Sequence, residues 1–104
     1  MVILNPQEAS KKVIGTSYKG VIHRTYFELE HFLGTPTFEN PTADGKVQKQ
    51  WVVKFEGNIF TIYDYKAGDE HVIMFELDKF HVGGKKDATR FIEYLEEKVP
   101  NLDE

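Results

Sequence analysis

A chain of 104 residues without cysteine forms one small core and has no disulfides, thiolate metal ligands or cysteine nucleophiles. Thirteen Lys and Arg against seventeen Asp and Glu leave a net charge of −4, which argues against the broad basic face that extended nucleic acid requires. A small anionic ligand stays compatible, because a pocket on an acidic protein can be locally positive.

Eight phenylalanines, five tyrosines and Trp51 supply large buried areas for so short a chain. No apolar run approaches the roughly 18 residues of a membrane span. The opening "MVILNPQEASKK" lacks the order of a secretory signal, so a soluble intracellular protein is expected. Residues 1–11 are mixed, Pro6 discourages regular structure there, and an arm is expected. In "KKVIGTSYKGVIH" (11–23) two β-prone pieces, around Val13–Ile14 and Val21–Ile22, flank the polar loop "GTSYKG".

"TYFELEHFLGTP" (25–36) is a helix marked at both ends. Thr25 and Glu28 form a capping box, Gly34 suits the left-handed position after the helix, and Pro36 forbids continuation. Tyr26, Leu29 and Leu33 make its buried stripe, with Phe32 beside it. Residues 39–46 are a loop. "VQKQWVVKF" (47–55) then alternates, placing Val47, Lys49, Trp51, Val53 and Phe55 on one face, with Lys49 as the exception among apolar neighbours.

"EGN" (56–58) is a hairpin turn, and "IFTIYDYK" (59–66) returns antiparallel. Phe60, Ile62 and Asp64 share one face of it; Ile59, Thr61, Tyr63 and Tyr65 share the other. A turn at 67–70 leads into "HVIMFELDKFHV" (71–82), expected as a third strand interrupted near Leu77–Lys79. "KDATRFIEYLEEKV" (86–99) is an amphipathic helix whose Ala88, Phe91, Ile92, Leu95 and Val99 face the sheet. The fold class is therefore α+β: an antiparallel sheet of three to five strands with two helices, the C-terminal one packed on one face.

Three polar segments are candidates for chemistry. In "KFHVGGKK" (79–86), Gly83 and Gly84 would let an anion approach the N-terminus of the last helix, with Gly84 as its N-cap. Lys85 and Lys86 oppose the helix dipole there, which a fold built only for stability would avoid. The alternative is an ordinary strand-to-helix turn, with Asp87 satisfying the helix start and the lysines solvated. In "GTSYKG", Thr16, Ser17 and Lys19 offer hydroxyls, an amine and bare backbone donors; the alternative is a polar hairpin loop.

In "TIYDYK", Tyr63 and Tyr65 can stack a base or grip a partner, or be core residues with hydroxyls at the rim. Asp64, on the face of Phe60 and Ile62, must reach solvent, pair with a cation such as Lys49 or Arg24, or serve a site. The four histidines are far apart in sequence, so no metal or other cofactor is expected. Ser17, His81 and Asp64 lack the setting of a hydrolytic triad, so no catalytic residue is assigned.

Taken in order, "GTSYKG", "TYFELEHFLGTPTF", "KVQKQW", "TIYDYK" and "FHVGG" resemble a group of small bacteriophage and large-virus proteins. These carry a GTS loop, a TY-L-G-P helix, a tryptophan strand, a TIYDWK-like strand and a WHVGG-like end. The sequence departs from them at Phe80 and Tyr65, where that group has tryptophan; both keep an aromatic ring. The resemblance implies a viral origin, hence the cytoplasm of an infected host cell, and a common purpose for the three polar segments.

A small viral protein without a catalytic motif is expected to act by binding. The first expectation is a host-defence antagonist that sequesters a small anionic or nucleotide-like ligand. Thr16, Ser17, Lys66, His81, Gly83, Gly84 and Lys85 would supply its polar contacts, and Tyr63 or Tyr65 would stack. The alternative is an inhibitor of a host or bacterial defence protein, docking through an edge strand or the acidic C-terminus (Glu93, Glu96, Glu97, Asp103, Glu104). An open strand edge also suits a homodimer or higher oligomer.

Overall fold

The computed structural model describes residues 1–102; Asp103 and Glu104 of the acidic C-terminus lie outside the described residues. In chain order the elements are β1 (Val2–Ile3), α1 (Pro6–Lys12), β2 (Ser17–Ile22), α2 (Tyr26–Leu33), β3 (Gln50–Phe55), β4 (Asn58–Tyr63), α3 (Glu70–Phe75), β5 (Phe80–Gly84) and α4 (Thr89–Lys98). The strands form one sheet in the order β1-β3-β4-β5-β2, and every pairing is antiparallel. The expected α+β architecture holds, with the C-terminal helix on one face of a five-stranded sheet. No described helix is long and apolar enough to cross a membrane.

Alternation decides which side chains face the helices. Trp51 and Val53 of β3, Phe60 and Ile62 of β4, Phe80 and Val82 of β5 and Ile22 of β2 point to one face. Tyr26, Leu29 and Leu33 of α2 and Phe91 and Leu95 of α4 close over them, all buried. Phe60 stacks on Phe91 with ring centroids 4.6 Å apart. Trp51 lies fully buried between Tyr26 and Phe80, and its indole N–H donates to Gly34 O at 2.9 Å. The C-terminal end of α4 is capped from β2's side by Arg24, which donates to Glu96 O at 2.9 Å and Val99 O at 3.3 Å.

The opposite face is covered only in part. Leu4, Ala9 and Val52 are buried there, with Val13, Phe38 and Ile59 packed against them. The Thr37 hydroxyl ties this layer to the sheet, donating to Leu4 O at 2.8 Å and accepting from Val52 N–H at 3.0 Å.

Several expectations need correction. Residues 1–11, expected as an arm, contain β1 and most of α1: Asn5 caps the helix by accepting from Glu8 N–H at 2.9 Å, and Pro6 occupies its first turn. "GTSYKG" is not a loop between two strand pieces; Val13 follows α1, Gly15 turns, and β2 begins at Ser17. Residues 70–75 form α3 rather than a strand, capped by Asp69, which accepts from Val72 N–H at 3.1 Å. Two helices are therefore four.

The glycine corner also differs. Gly83 and Gly84 lie within β5, and α4 starts only at Thr89, so Gly84 is not an N-cap and the lysines do not abut the helix start. Asp87 instead accepts from Thr89 N–H and hydroxyl, each at 3.2 Å. What the two glycines provide is space. A Cβ on Gly84 would stand 2.8 Å from Phe60 Cδ1 and 3.2 Å from Ile59 O. Because Phe60 is held against Phe91, Gly84→Ala is expected to cost about 1–3 kcal/mol in urea unfolding. An unchanged midpoint would show that Phe60 yields freely.

Glu28 adds a pH dependence. Burial opposes its charge, but hydrogen bonds from Thr25 N–H and Leu102 N–H, with the Thr25 hydroxyl and Arg24 nearby, outweigh it and hold the carboxyl below its usual range. A lowered folded pKa means stability that is complete above the ordinary value of 4.5 and is lost as pH falls through the folded value. Glu28→Gln should lower the melting temperature at neutral pH. It should also flatten the loss of stability of the parent protein below about pH 4.5, as followed by circular dichroism.

Candidate ligand-binding face

Strand pairing brings the three polar segments together. β5 lies between β4 and β2, so His81 is opposite Tyr63 on one side and Val21 on the other, while Gly83 is opposite Thr61 and Tyr18. Odd positions of β4 and β5 point away from the main core, as the alternation predicts. A register shift between Tyr18 and Gly20 lets β2 place Tyr18 on that same face although Gly20 and Ile22 face the core.

The result is a cluster of rings left uncovered by helices. Tyr18, Tyr63, Tyr65 and His81 line an open cleft of about 340 Å³. The imidazole is at the centre: Tyr18 meets it edge-on at 5.2 Å, Tyr63 edge-on at 5.6 Å, and Tyr65 lies nearly parallel to it at 6.1 Å. Burial, reinforced by the phenols of Tyr18 and Tyr65, pushes the Tyr63 phenol above its ordinary pKa, so it stays a neutral donor at physiological pH. Among the described residues the imidazole and the three tyrosine hydroxyls make no hydrogen bond, and they remain available. Tyr18 is not among the residues the sequence singles out. Its segment reads as a loop, and only its pairing with β5 reveals its direction.

Gly83 lies on the same face, two residues beyond His81 in β5. A Cβ there would stand 2.7 Å from Thr61 Oγ1, 3.1 Å from Ser17 O and 3.2 Å from Tyr63 Cε1. Its absence lets the rings approach the backbone. Lys66 stands beside the cleft: its ammonium is 5.4 Å from the centre of the Tyr65 ring, within cation–π range.

The remaining expected residues sit at the periphery or elsewhere. Thr16 is committed to the end of α1, its N–H and hydroxyl both donating to Val13 O. Ser17 opposes Gly84 at the sheet end. Gly84 faces the core, and the Lys85 side chain passes Gly15, where a Cβ would be 3.7 Å from Lys85 Cε. The site therefore gathers Tyr63, Tyr65, Lys66, His81 and Gly83, adds Tyr18, and leaves Thr16 and Gly84 to the fold.

Asp64 is explained without a site role. Buried at 1% exposure, its carboxylate accepts from Lys49 N–H at 2.8 Å and from Gln48 N–H at 2.9 and 3.0 Å, rather than from either expected cation. Arg24 is at the end of α4. The Lys49 ammonium donates to Glu39 O at 2.9 Å and lies 3.8 Å from Glu70. Among the described residues no three histidine or carboxylate side chains gather into a metal-binding group.

Compared with protein-family models, curated proteins and solved structures, this chain has no match.

Lys66 has a left-handed backbone, φ 52°, which costs a side-chain-bearing residue about 1 kcal/mol. Its N–H is fixed by Lys46 O at 2.7 Å. Lys66→Gly should therefore leave stability unchanged or raise it by up to about 1 kcal/mol in urea unfolding, although the cation over Tyr65 is lost. A fall in stability would make Lys66 a structural residue.

Proposed function

We propose that this protein is a binding module, acting without catalysis, that captures a small anionic molecule carrying an aromatic ring, of the nucleotide class. The observation that carries this reading is the cluster of three tyrosines around His81, with the Lys66 ammonium against one of them. Base-on-aromatic stacking is worth about 1–3 kcal/mol per base. A ring of tyrosines also suits a cationic ligand. That occupant is disfavoured because Lys66 already brings positive charge to the rings, while the nearest buried carboxylate, Asp64, is committed to backbone N–H groups.

With the resemblance to small viral proteins, the reading becomes a host-defence antagonist that works in the infected cell by sequestering a nucleotide-derived signal. A second reading rests on β2. It pairs with β5 alone, through five of its six residues, leaving one edge open to a strand of a defence protein or of a second copy. The exposed glutamates of α4 are the other docking candidate.

The first reading predicts that nucleotides raise the melting temperature and quench tyrosine fluorescence. Tyr65→Ala or Lys66→Glu should weaken binding about tenfold or more while preserving the fold. A melting temperature indifferent to a broad panel of nucleoside mono-, di- and triphosphates would count against it. Retention of a stoichiometric host protein on affinity purification, unaffected by Tyr65→Ala, would favour the second.

A further inference from the structure

The ring cleft does not end at Tyr63. On the same face, β3 continues with Gln50 directly opposite Tyr63. Gln50 also lines a second and larger cleft of about 690 Å³, between α1 and the segment from Thr37 to Val47. The two clefts thus abut across one cross-strand pair, whose Cβ atoms in such positions are about 5 Å apart.

The second cleft has its own chemistry. Pro6, Val13, Phe38 and Val47 give it apolar walls, Ser10 and Thr42 stand at its rim, and Glu39 is its one charged lining residue. Its outer wall is held in shape: Thr42 N–H donates to Val47 O at 2.8 Å, and Asp44 accepts from the Thr42 hydroxyl at 2.6 Å. Phe38 is fixed to the sheet by reciprocal backbone bonds with Gln50, at 2.9 and 3.0 Å. Gln50 itself is half-buried, and its side-chain amide makes no hydrogen bond among the described residues. A donor and an acceptor therefore stand uncommitted at the waist between the clefts.

Two lysines adjoin the walls of the two clefts in the chain. The bond from Lys66 N–H to Lys46 O joins the neighbour of Tyr65, a wall of the first cleft, to the neighbour of Val47, a wall of the second. Lys46 contacts only Asp44, at 4.0 Å, and Lys66 has no ion pair among the described residues.

We infer that the ligand is a dinucleotide-like molecule: one base lies on the tyrosines and His81, the second enters the α1 cleft, and the linking phosphodiester faces Lys66 and Lys46. The Gln50 amide reads a polar edge where the two halves meet. This inference rests on the nucleotide reading of the ring cluster and adds the size and two-part form of the ligand. A mononucleotide stacked on the rings would leave the larger cleft empty.

The test is calorimetric titration of the full chain with AMP and GMP and with the dinucleotides ApA and GpG. At least one dinucleotide should bind ten times more tightly than its mononucleotide. Ser10→Trp, an exposed position that fills the second cleft, should abolish that difference and leave mononucleotide affinity intact. Gln50→Ala should reduce the difference without a bulky insertion, and Tyr65→Ala should weaken both ligands. Equal affinities for mono- and dinucleotides in the parent protein, or a dinucleotide preference untouched by Ser10→Trp and Gln50→Ala, would overturn the two-cleft ligand while the ring reading stands. Failure of every one of these ligands to bind would overturn both.

Discussion

The carboxylate of Asp64 is the constraint on which the site depends. The β3–β4 ladder ends at the Gln50–Tyr63 pair, and beyond it the N–H groups of Gln48 and Lys49 need acceptors in a dry place. Asp64 supplies both from one residue past β4, extending the ladder with a side chain. Its direction into the core obliges Tyr63 and Tyr65 to point the other way, and it fixes the chain so that Lys66 meets Lys46 O. Burial dominates its titration and raises its pKa despite the Lys49 and Gln48 bonds. Its proton is thus held more tightly when folded, and that contribution to stability fades as pH rises. Glu28 also accepts backbone N–H groups but has the Thr25 hydroxyl and Arg24 beside it, and its balance runs the opposite way.

The parts of the fold legible in the sequence are those where one local signal and the tertiary context agree. Thr25 with Glu28, the stripe of Tyr26, Leu29 and Leu33, and the alternation around Trp51 each state their element and their buried face, and the structure follows them. The reading failed where two signals compete. Pro6 reads as a breaker, yet at a helix start its missing N–H costs nothing, and Asn5 with Glu8 marks that start. Val72 and Ile73 favour a strand, but the Asp69 cap and the packing of Ile73 into the core hold six residues helical. The site was legible as a set of segments and not as a face. Tyr63, Tyr65 and His81 follow from alternation, whereas Tyr18 requires knowledge that β2 pairs with β5 and shifts register on the way.

An acidic chain can still keep one face free of carboxylates because charge is partitioned by place. Several acids are spent locally: Glu28 on backbone donors, Glu56 on Arg90, Asp69 and Asp87 on helix starts. Lys49 is likewise consumed, between Glu39 O and Glu70. The ring face holds no carboxylate in its lining, and Lys66 stands beside it. Local potential there is set by what lines the cleft more than by the net charge. The same sheet face is divided by α1, which covers Val52 and Ile59 but stops short of β5. One half becomes a second small core, and the other is left with aromatic rings and no cover.

The two glycines of "FHVGG" attract attention as an anion corner and have a different cause. Both lie in a strand, where glycine weakens the element unless a neighbour must come close. Gly84 yields to Phe60 on the core side, and Gly83 yields to Thr61 and Tyr63 on the other. Alternation makes these two demands independent, so a single dipeptide serves the core with one residue and the site with the next. Had Gly83 carried a side chain, Thr61 would have to move away from it and Tyr63 would have to give way slightly. Packing shapes this aromatic face: β5 has given up a side chain where Thr61 and Tyr63 come close to its backbone, next to the imidazole on which three tyrosines converge.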